Sequence, residues 1–162
     1  MVYLLFEVMS EIKKAMKHKE KIIVTNSFEE TQRLGEGFAK KNRIIALYGD
    51  LGSGKTTFAQ GLARGFGIKR RIVSPTFVII RSYNIKNTNK KLKMFYHIDL
   101  YRIENEKHIE GLGLEEIISN PENVVVIEWA EKMGKLLPKE RWDIRFEHLK
   151  NDKRKISVIK NE

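Results

Sequence analysis

Apolar residues in the first twenty positions recur with helical spacing. They follow the i, i+3, i+4, i+7 pattern, while glutamates and lysines occupy the positions between them. The apolar positions are Leu5, Val8, Met9, Ile12, Ala15 and Met16. The pattern predicts an amphipathic helix, and we expect residues 1–20 to form a helical extension that packs on the body of the domain.

Two continuous apolar runs, Ile44–Tyr48 and Val124–Ile127, lie further along the chain. Parallel strands that are covered on both faces show such runs instead of alternation. The first run ends at a glycine-rich segment, and apolar residues with helical spacing follow as far as Phe66, where Gly67 can end the helix. The order predicted here is therefore strand, glycine turn and helix.

The segment before the first apolar run predicts one strand and one helix. Lys21–Thr25 has the composition of a short strand. Ser27 can cap a helix that runs through Ala39, and Glu30 follows three residues later, as in a capping box. This segment thus adds a strand and a capped helix to the predicted core.

The remaining segments predict a hairpin, a helix and two final strands. Residues 77–85 and 92–98 alternate like two strands, joined by a lysine-rich tip at residues 86–91. Residues 107–119 predict a helix that Gly111 and Gly113 interrupt. Alternating strands at residues 141–146 and 155–159 complete the chain.

Together these elements predict an α/β protein. We expect one domain over residues 1–162, with three layers and a mixed, mainly parallel central sheet. The 162 residues suit one compact domain, and 41% hydrophobic with 32% charged residues is typical of a globular protein that folds in water.

The charge balance indicates a basic protein. There are 31 lysines and arginines against 21 acids, a net charge of +10, so an anionic partner such as RNA stays open beside a simply solvated surface. The basic residues cluster at Lys69-Arg70-Arg71, Lys90-Lys91 with Lys93, and Lys153-Arg154-Lys155. We expect at most a weak or indirect contact with RNA.

The chain has no cysteine, which excludes disulfides, thiolate metal sites and cysteine nucleophiles. Residues 1–9 are apolar only in part and lack a basic start, so we expect neither a signal peptide nor a membrane span. These observations predict a cytoplasmic protein without membrane contact.

The segment Gly49–Thr56 matches the P-loop pattern G-x-x-x-x-G-K-[ST] without deviation, so we expect the domain to have a P-loop NTPase-like three-layer fold. Gly52 and Gly54 allow backbone amides to converge on phosphate oxygens at a helix N-terminus. Lys55 would contact the β and γ phosphates, and the Thr56 hydroxyl would bind Mg²⁺. The loop residues expected to contact the nucleotide are Leu51, Gly52, Ser53, Gly54, Lys55, Thr56 and Thr57.

P-loop chemistry also requires an acid at the carboxyl end of a neighbouring strand. Glu128 follows Val124–Ile127, and Asp99 follows the strand that ends at Ile98. Each could instead be a surface carboxylate or an ion-pair partner. We assign Glu128 to the metal with Thr56, and Asp99 to the metal shell or the attacking water, so that these two acids and Lys55 form the catalytic set.

Other chemistry-bearing residues are not assigned to the site. The four histidines have no metal-ligand spacing, and His97 within an apolar strand is interpreted as a packed structural residue. Trp129 and Trp142 are likewise predicted to serve packing.

The motifs resemble those of the TsaE family, formerly YjeE, a small bacterial ATPase of tRNA threonylcarbamoyladenosine synthesis. The matching blocks cover residues 22–138. They are the loop Gly49–Thr57, Ser74-Pro75-Thr76-Phe77, Tyr96–Arg102, Gly111-Leu112-Gly113 with Glu115, and Val126-Ile127-Glu128-Trp129.

The resemblance implies a weak ATPase that assembles with TsaD and TsaB, resets their complex between rounds of carbamoyl transfer, and has at most a weak or indirect contact with tRNA. It implies that Thr56 and Glu128 bind magnesium, that hydrolysis needs Asp99, and that Thr76 lies in a loop sensing the γ phosphate. Residues 1–20 and the basic tip at 86–93 depart from the family pattern, and the adenine contacts stay unassigned.

Two other functions stay open at this point. A P-loop kinase for a small metabolite or nucleotide would share the loop and the size, although few arginines lie where a lid would need them. A basic RNA-binding module would depend on the net charge instead of the loop. A GTPase is disfavoured, because no Asn-Lys-x-Asp element follows the loop.

Overall fold

A computed structural model describes residues 20–39, 43–86 and 91–162. Within these ranges the chain forms seven strands, three α-helices and two 3₁₀ segments. The strands are β1 Glu20–Thr25, β2 Ile44–Tyr48, β3 Ile80–Asn84, β4 Met94–Asp99, β5 Asn123–Glu128, β6 Arg141–His148 and β7 Arg154–Asn161. The helices are α1 Phe28–Phe38, α2 Lys55–Gly65 and α3 Leu114–Ser119, and the 3₁₀ segments are Glu106–His108 and Ala130–Leu136.

All seven strands join one sheet in the order β1-β7-β6-β2-β5-β4-β3. The four central strands, β6, β2, β5 and β4, are parallel to one another. The outer strands β1, β7 and β3 pair antiparallel with their neighbours. The prediction of an α/β fold with a mixed sheet, parallel at its centre, is confirmed.

Alternate residues of the central strands supply two cores, one on each face of the sheet. Ile45 and Leu47 of β2 pack beneath α1 and α2, whereas Ile44 and Ala46 pack on the other face with α3 and the second 3₁₀ segment. Because both faces are covered, β2 and β5 are buried along their whole length. Helix, sheet and helix thus form the three expected layers.

The predicted start of α1 is confirmed, with one change in its capping contacts. The Ser27 side chain accepts a hydrogen bond from the Glu30 amide at 3.2 Å. The Glu30 carboxylate, however, accepts from the Asn26 amide at 2.6 Å instead of from Ser27. The reciprocal half of the capping box is therefore shifted by one residue towards the N-terminus.

The first strand of the predicted hairpin is shorter than residues 77–85. The amides of Val78 and Ile79 donate to the carbonyl oxygen of Pro75, at 2.9 and 2.6 Å, and Ile79 has a φ of 65°. Because of this turn, β3 begins only at Ile80. The alternation of apolar and polar side chains predicted the strand, but this pattern does not reveal that the backbone forms a turn before the strand begins.

The helix predicted over residues 107–119 is wrong in extent. Gly111 and Gly113 have φ values of 90° and 70°, which no α-helical residue adopts, so the segment divides into a short 3₁₀ turn before them and α3 after them. The two glycines were expected to interrupt a helix, and they separate two elements.

Some predictions lie outside the described residues. These are the amphipathic helix within residues 1–20, apart from Glu20 itself, and most of the lysine-rich tip at residues 86–91. The single domain over residues 1–162 also stays a prediction. No helix in the described ranges has both the length and the apolar character needed to cross a lipid bilayer.

Candidate functional site

The glycine loop between β2 and α2 has a backbone that only glycines adopt readily. Gly49, Gly52 and Gly54 have φ values of 133°, 76° and 114°. A Cβ atom at Gly49 would lie 2.4 Å from the carbonyl oxygen of Phe146, and one at Gly54 would lie 2.8 Å from Cδ of Arg154. The loop is therefore pressed against β6 and β7, which fixes its curvature.

Lys55, the first residue of α2, is buried within this curve. Its ammonium donates to the carbonyl oxygens of Gly49 and Asp50, at 2.5 and 2.8 Å. It also lies 4.1 Å from the ring centroid of Trp129. Burial lowers the pKa of Lys55, while nearby carboxylates, first that of Glu128, act in the opposite direction.

Thr56 and Glu128 are brought into direct contact by the fold. The Thr56 hydroxyl lies 2.9 and 3.0 Å from the two carboxylate oxygens of Glu128. Thr56 stands in the first turn of α2, and Glu128 is the last residue of β5, beside β2. The hydroxyl and the carboxylate predicted to share a metal ion are therefore adjacent.

Asp99 is tied to the segment that precedes β3. Its Oδ2 accepts hydrogen bonds from Ser74 Oγ at 2.5 Å and Thr76 Oγ1 at 2.7 Å, and the two hydroxyls lie 2.7 Å apart. Its Oδ1 accepts from the amide of Tyr101 at 2.9 Å. Asp99 thus connects the end of β4 to Thr76, whose expected role in sensing the γ phosphate stays a prediction.

The register of the sheet explains why both acids face the loop. Asp99 and Glu128 are paired positions of the parallel strands β4 and β5. Side chains alternate along a strand, so both acids share the sheet face of Phe95, Val124 and Val126, which pack beneath α1 and α2. Along this face the apolar side chains are followed, at the carboxyl ends of β4 and β5, by Asp99 and Glu128, which lie next to the first turn of α2.

A cleft of about 250 Å³ opens over these residues. The predicted residues Leu51, Lys55, Thr56 and Thr57 line it, although Leu51 is 74% exposed. Ser53 does not line the cleft, and its side chain is buried. The full lining is Leu51, Gly52, Gly54, Lys55, Thr56, Thr57, Ser74, Thr76, Asp99, Tyr101, Glu128 and Trp129.

The residues present fit a nucleotide with a magnesium ion. Ser53 Oγ is buried in the loop without a hydrogen-bond partner among the described residues, beside the amides that would surround an anion. Thr56 and Glu128 supply hard oxygen donors, which Mg²⁺ prefers. The described part of the chain has no cluster of three or more histidine, cysteine, aspartate or glutamate side chains that could hold a metal ion.

A family comparison decides the identity of this fold and site. Residues 25–156 match the profile of the family described as "Threonylcarbamoyl adenosine biosynthesis protein TsaE". The matched range contains the glycine loop, both acids and Thr76.

The chain belongs to the TsaE family.

Curated TsaE proteins from several bacteria are similar to this chain. The protein of Bacillus subtilis is 42% identical over 132 residues, covering 80% of this chain and 78% of its own. That of Rickettsia conorii is 39% identical over 140 residues, covering 84% and 76%, and that of Haemophilus influenzae is 33% identical over 135 residues, covering 78% and 81%. Each is named a tRNA threonylcarbamoyladenosine biosynthesis protein.

A solved structure confirms the fold as well. The crystal structure of Bacillus subtilis YdiB superposes with a TM-score of 0.72 at 34% identity, covering 89% of this chain and 87% of that one. The TsaE chain described here is therefore a P-loop fold of a family that takes part in tRNA threonylcarbamoyladenosine biosynthesis.

The sequence analysis missed two residues of the TsaE site. Trp129, predicted to serve packing, lies in the cleft beside Lys55 and packs on Tyr101 with ring centroids 5.3 Å apart. His97, interpreted as a packed residue, is indeed fully buried, yet its Nε2 lies 2.7 Å from Glu128 Oε1. The sequence signal that could have identified them is their position. Trp129 directly follows Glu128, and His97 lies two residues before Asp99.

In two of the basic clusters of this TsaE chain, some side chains already contact other residues of the protein. Arg154 is buried against the glycine loop, and Lys155 pairs with Glu147 at 3.2 Å. Lys93 pairs with Glu122 at 2.7 Å. Lys69, Arg70 and Arg71 are exposed. An RNA contact at this basic surface stays a prediction.

Proposed function

We propose that this TsaE family member binds ATP with Mg²⁺ and hydrolyses it, as a weak ATPase that acts on a complex of TsaD and TsaB during tRNA threonylcarbamoyladenosine synthesis. The observation that carries the proposal is the contact of Thr56 with Glu128 beside the glycine loop. It supports a metal position next to the turn where the phosphates would bind.

In this mechanism the loop amides and Lys55 hold the polyphosphate chain. The glycines keep the amides converged, so little reorganisation is needed when charge develops on the transferred phosphoryl group. Thr56 and Glu128 would hold Mg²⁺, which supplies electrostatic stabilisation of the β and γ phosphate oxygens. Burial of Lys55 strengthens its attraction to the same oxygens.

Asp99 and Thr76 would act on the hydrolytic step. Asp99 is buried, and two hydroxyls and one amide hold its carboxylate at the edge of the cleft. A fixed carboxylate there can orient the attacking water, and Thr76 can report the presence of a γ phosphate through the same hydrogen bonds. These roles connect nucleotide state to the segment before β3.

That segment also has exposed apolar side chains directly after Thr76, which lines the cleft. Phe77 is 81% exposed and Val78 is 54% exposed, and Leu51 of the glycine loop is 74% exposed. Apolar side chains of this size beside a catalytic cleft suit contact with a protein partner. We assign TsaD and TsaB as the partners, with no membrane contact, in the cytoplasm.

The test combines purified protein with TsaD, TsaB, Mg²⁺ and ATP, and measures release of inorganic phosphate. We expect little turnover alone and a rise with both partners. Lys55→Ala should abolish ATP binding and turnover, whereas Lys69→Ala, which changes an exposed lysine outside the cleft, should leave both unchanged.

Several outcomes would contradict the proposal. ATP binding that survives Lys55→Ala would refute the loop assignment, and thermal stabilisation by GTP alone would refute the choice of ATP. Transfer of the γ phosphate to a small acceptor instead of water would favour a kinase. RNA affinity that falls steeply with salt, without any ATP binding, would favour a basic RNA-binding module.

A further inference from the structure

His97 contacts the same carboxylate oxygen that Thr56 contacts. Its Nε2 lies 2.7 Å from Oε1 of Glu128, and the Thr56 hydroxyl lies 2.9 Å from that atom. His97 is 0% exposed and Glu128 is 3% exposed. The imidazole therefore approaches the carboxylate from within the sheet layer, and Thr56 approaches it from the first turn of α2.

Packing alone does not account for this residue. Phe95, His97 and Asp99 point to one face of β4, and the neighbouring row on β5 is Val124, Val126 and Glu128. An apolar side chain at position 97 would continue this row without the desolvation that a buried imidazole costs. The polar residue lies instead where its Nε2 reaches the carboxylate of Glu128.

The chemistry of the pair sets the direction of the hydrogen bond. An ionised carboxylate only accepts, so Nε2 carries the hydrogen and donates it. His97 Nδ1 has no hydrogen-bond partner within the described ranges. The Nε2 contact is thus the polar interaction that the structure gives this ring.

We propose that His97 is a positioning residue for Glu128. Its hydrogen bond to Oε1 fixes the Glu128 carboxylate in the orientation that contacts Thr56 and the ion that the pair would bind. Outer-shell donors of this kind commonly change metal affinity by about 10- to 100-fold. The inference rests on the proposed function, because it assigns a partner to the proposed magnesium ligand.

Two amide substitutions separate this role from a structural one. In His97→Gln the side-chain NH₂ can reach close to the position of Nε2, whereas in His97→Asn it corresponds to Nδ1 and falls short of Glu128. Phe95→Leu serves as the control, because Phe95 is buried in the same row but pairs with Val124, four residues before Glu128 on β5. Urea unfolding of the full-length variants measures how far each is destabilised.

The decisive readout is binding, not turnover. Mn²⁺ affinity in the presence of ADP is measured by electron paramagnetic resonance, and ADP affinity is measured with the metal chelated. We expect His97→Asn to weaken Mn²⁺ by about tenfold or more, and His97→Gln to stay within about threefold of wild type. Metal-free ADP affinity should be unchanged in both, since the glycine loop is intact.

The positioning role is overturned if His97→Asn and His97→Gln lose Mn²⁺ affinity equally and the loss scales with the fall in unfolding free energy. A loss in Phe95→Leu would scale in that way. Unchanged Mn²⁺ affinity in His97→Asn overturns it as well. Glu128→Ala serves as the reference. If that variant loses Mn²⁺ while His97→Asn keeps it, the proposed function stands and only the role of His97 fails. If Glu128→Ala keeps wild-type Mn²⁺ affinity, the metal assignment fails, and the role of His97 fails with it.

Discussion

The hydroxyl of Thr56 lies 2.9 Å from Oε1 and 3.0 Å from Oε2 of Glu128, although 72 residues separate them along the chain. The contact joins the first turn of α2 to the carboxyl end of β5. It depends on the parallel pairing of β2 with β5, which places Leu47 opposite Glu128 just before the glycine loop. The sheet therefore sets the distance between the two proposed ligands.

Glu128→Ala should impair magnesium-dependent turnover far more than nucleotide binding. The substitution removes the carboxylate and leaves the loop amides and Lys55 in place. We expect ATP affinity measured without metal to change by less than about threefold, and turnover with both partners to fall by about 100-fold or more. Calorimetry with chelated metal and phosphate release with Mg²⁺ provide the two measurements.

Glu140→Ala is the matched control for this prediction. Glu140 is an exposed acid immediately before β6, at the end of the sheet opposite the glycine loop, so its removal also changes the charge by one unit. It should leave turnover and affinity at wild-type values. If Glu128→Ala retains its full turnover, Glu128 is not the metal ligand.

The parts of this site that could be predicted from the sequence depend on local rules. The glycine loop is one continuous segment, and its φ values follow from where glycines stand. Glu128 and Asp99 were found because each ends an apolar strand, and parallel strands end at one edge of the sheet. These arguments need no knowledge of which strands are neighbours.

The missed contacts depend on strand order and register. His97 reaches Glu128 only because β4 lies directly beside β5. Asp99 meets Ser74 and Thr76 because the chain turns at Pro75 before β3 returns alongside β4. Alternation of apolar residues predicts the strands but not their order in the sheet. An isolated histidine within a strand is therefore interpreted as a core residue.

Gly49→Ala should destabilise the protein more than Gly52→Ala. Both glycines have positive φ, but a Cβ at position 49 would meet the backbone oxygen of Phe146 at 2.4 Å, and one at position 52 would meet nothing within 4 Å. Strain at Gly52 alone should reduce the free energy of unfolding by about 1 kcal/mol. The Gly49 variant adds a clash with a backbone that cannot move freely, and we expect about 3 kcal/mol or more.

Urea unfolding of the two glycine variants provides the comparison. Equal losses would show that the loop moves away from Phe146 at little cost, and would remove the argument that β6 fixes its curvature.

Asp99→Asn should separate the charge of this residue from its hydrogen bonds. The asparagine oxygen can still accept from the Tyr101 amide, and its NH₂ can donate to the hydroxyls of Ser74 and Thr76. We therefore expect ATP affinity within about twofold of wild type, and turnover with partners reduced by about tenfold or more. Thr76→Ser, which keeps the hydroxyl, should retain turnover. Full activity of Asp99→Asn would mean that the carboxylate charge has no part in hydrolysis.

Tyr48 links the strand that leads into the glycine loop to β6, and its ionisation should reduce stability at alkaline pH. Its hydroxyl lies 3.0 Å from Oδ1 of Asp143, which also accepts from Arg141 at 2.8 Å. Burial, reinforced by the carboxylate of Asp143, raises the pKa of Tyr48. The unfolded chain, with its ordinary tyrosine pKa, therefore loses this proton first as the pH rises above about 10. The contribution of Tyr48 to stability is complete below that pH and is lost as the pH rises towards the folded-state pKa.

Tyr48→Phe tests this linkage because phenylalanine cannot ionise. Near neutral pH the variant should unfold with a free energy about 1 kcal/mol below wild type, since one buried hydrogen bond is lost while Asp143 keeps Arg141. The gap between variant and wild type should narrow as urea unfolding is repeated at about pH 8, 10 and 10.5, because only the wild type pays the ionisation cost. Tyr96→Phe, which changes a half-buried tyrosine of β4, controls for the loss of a phenol elsewhere in the sheet. A gap that stays constant across this range would show that the Tyr48 phenol ionises alike in the folded and unfolded chains, and that the contact with Asp143 adds no pH dependence to the strand that carries the loop.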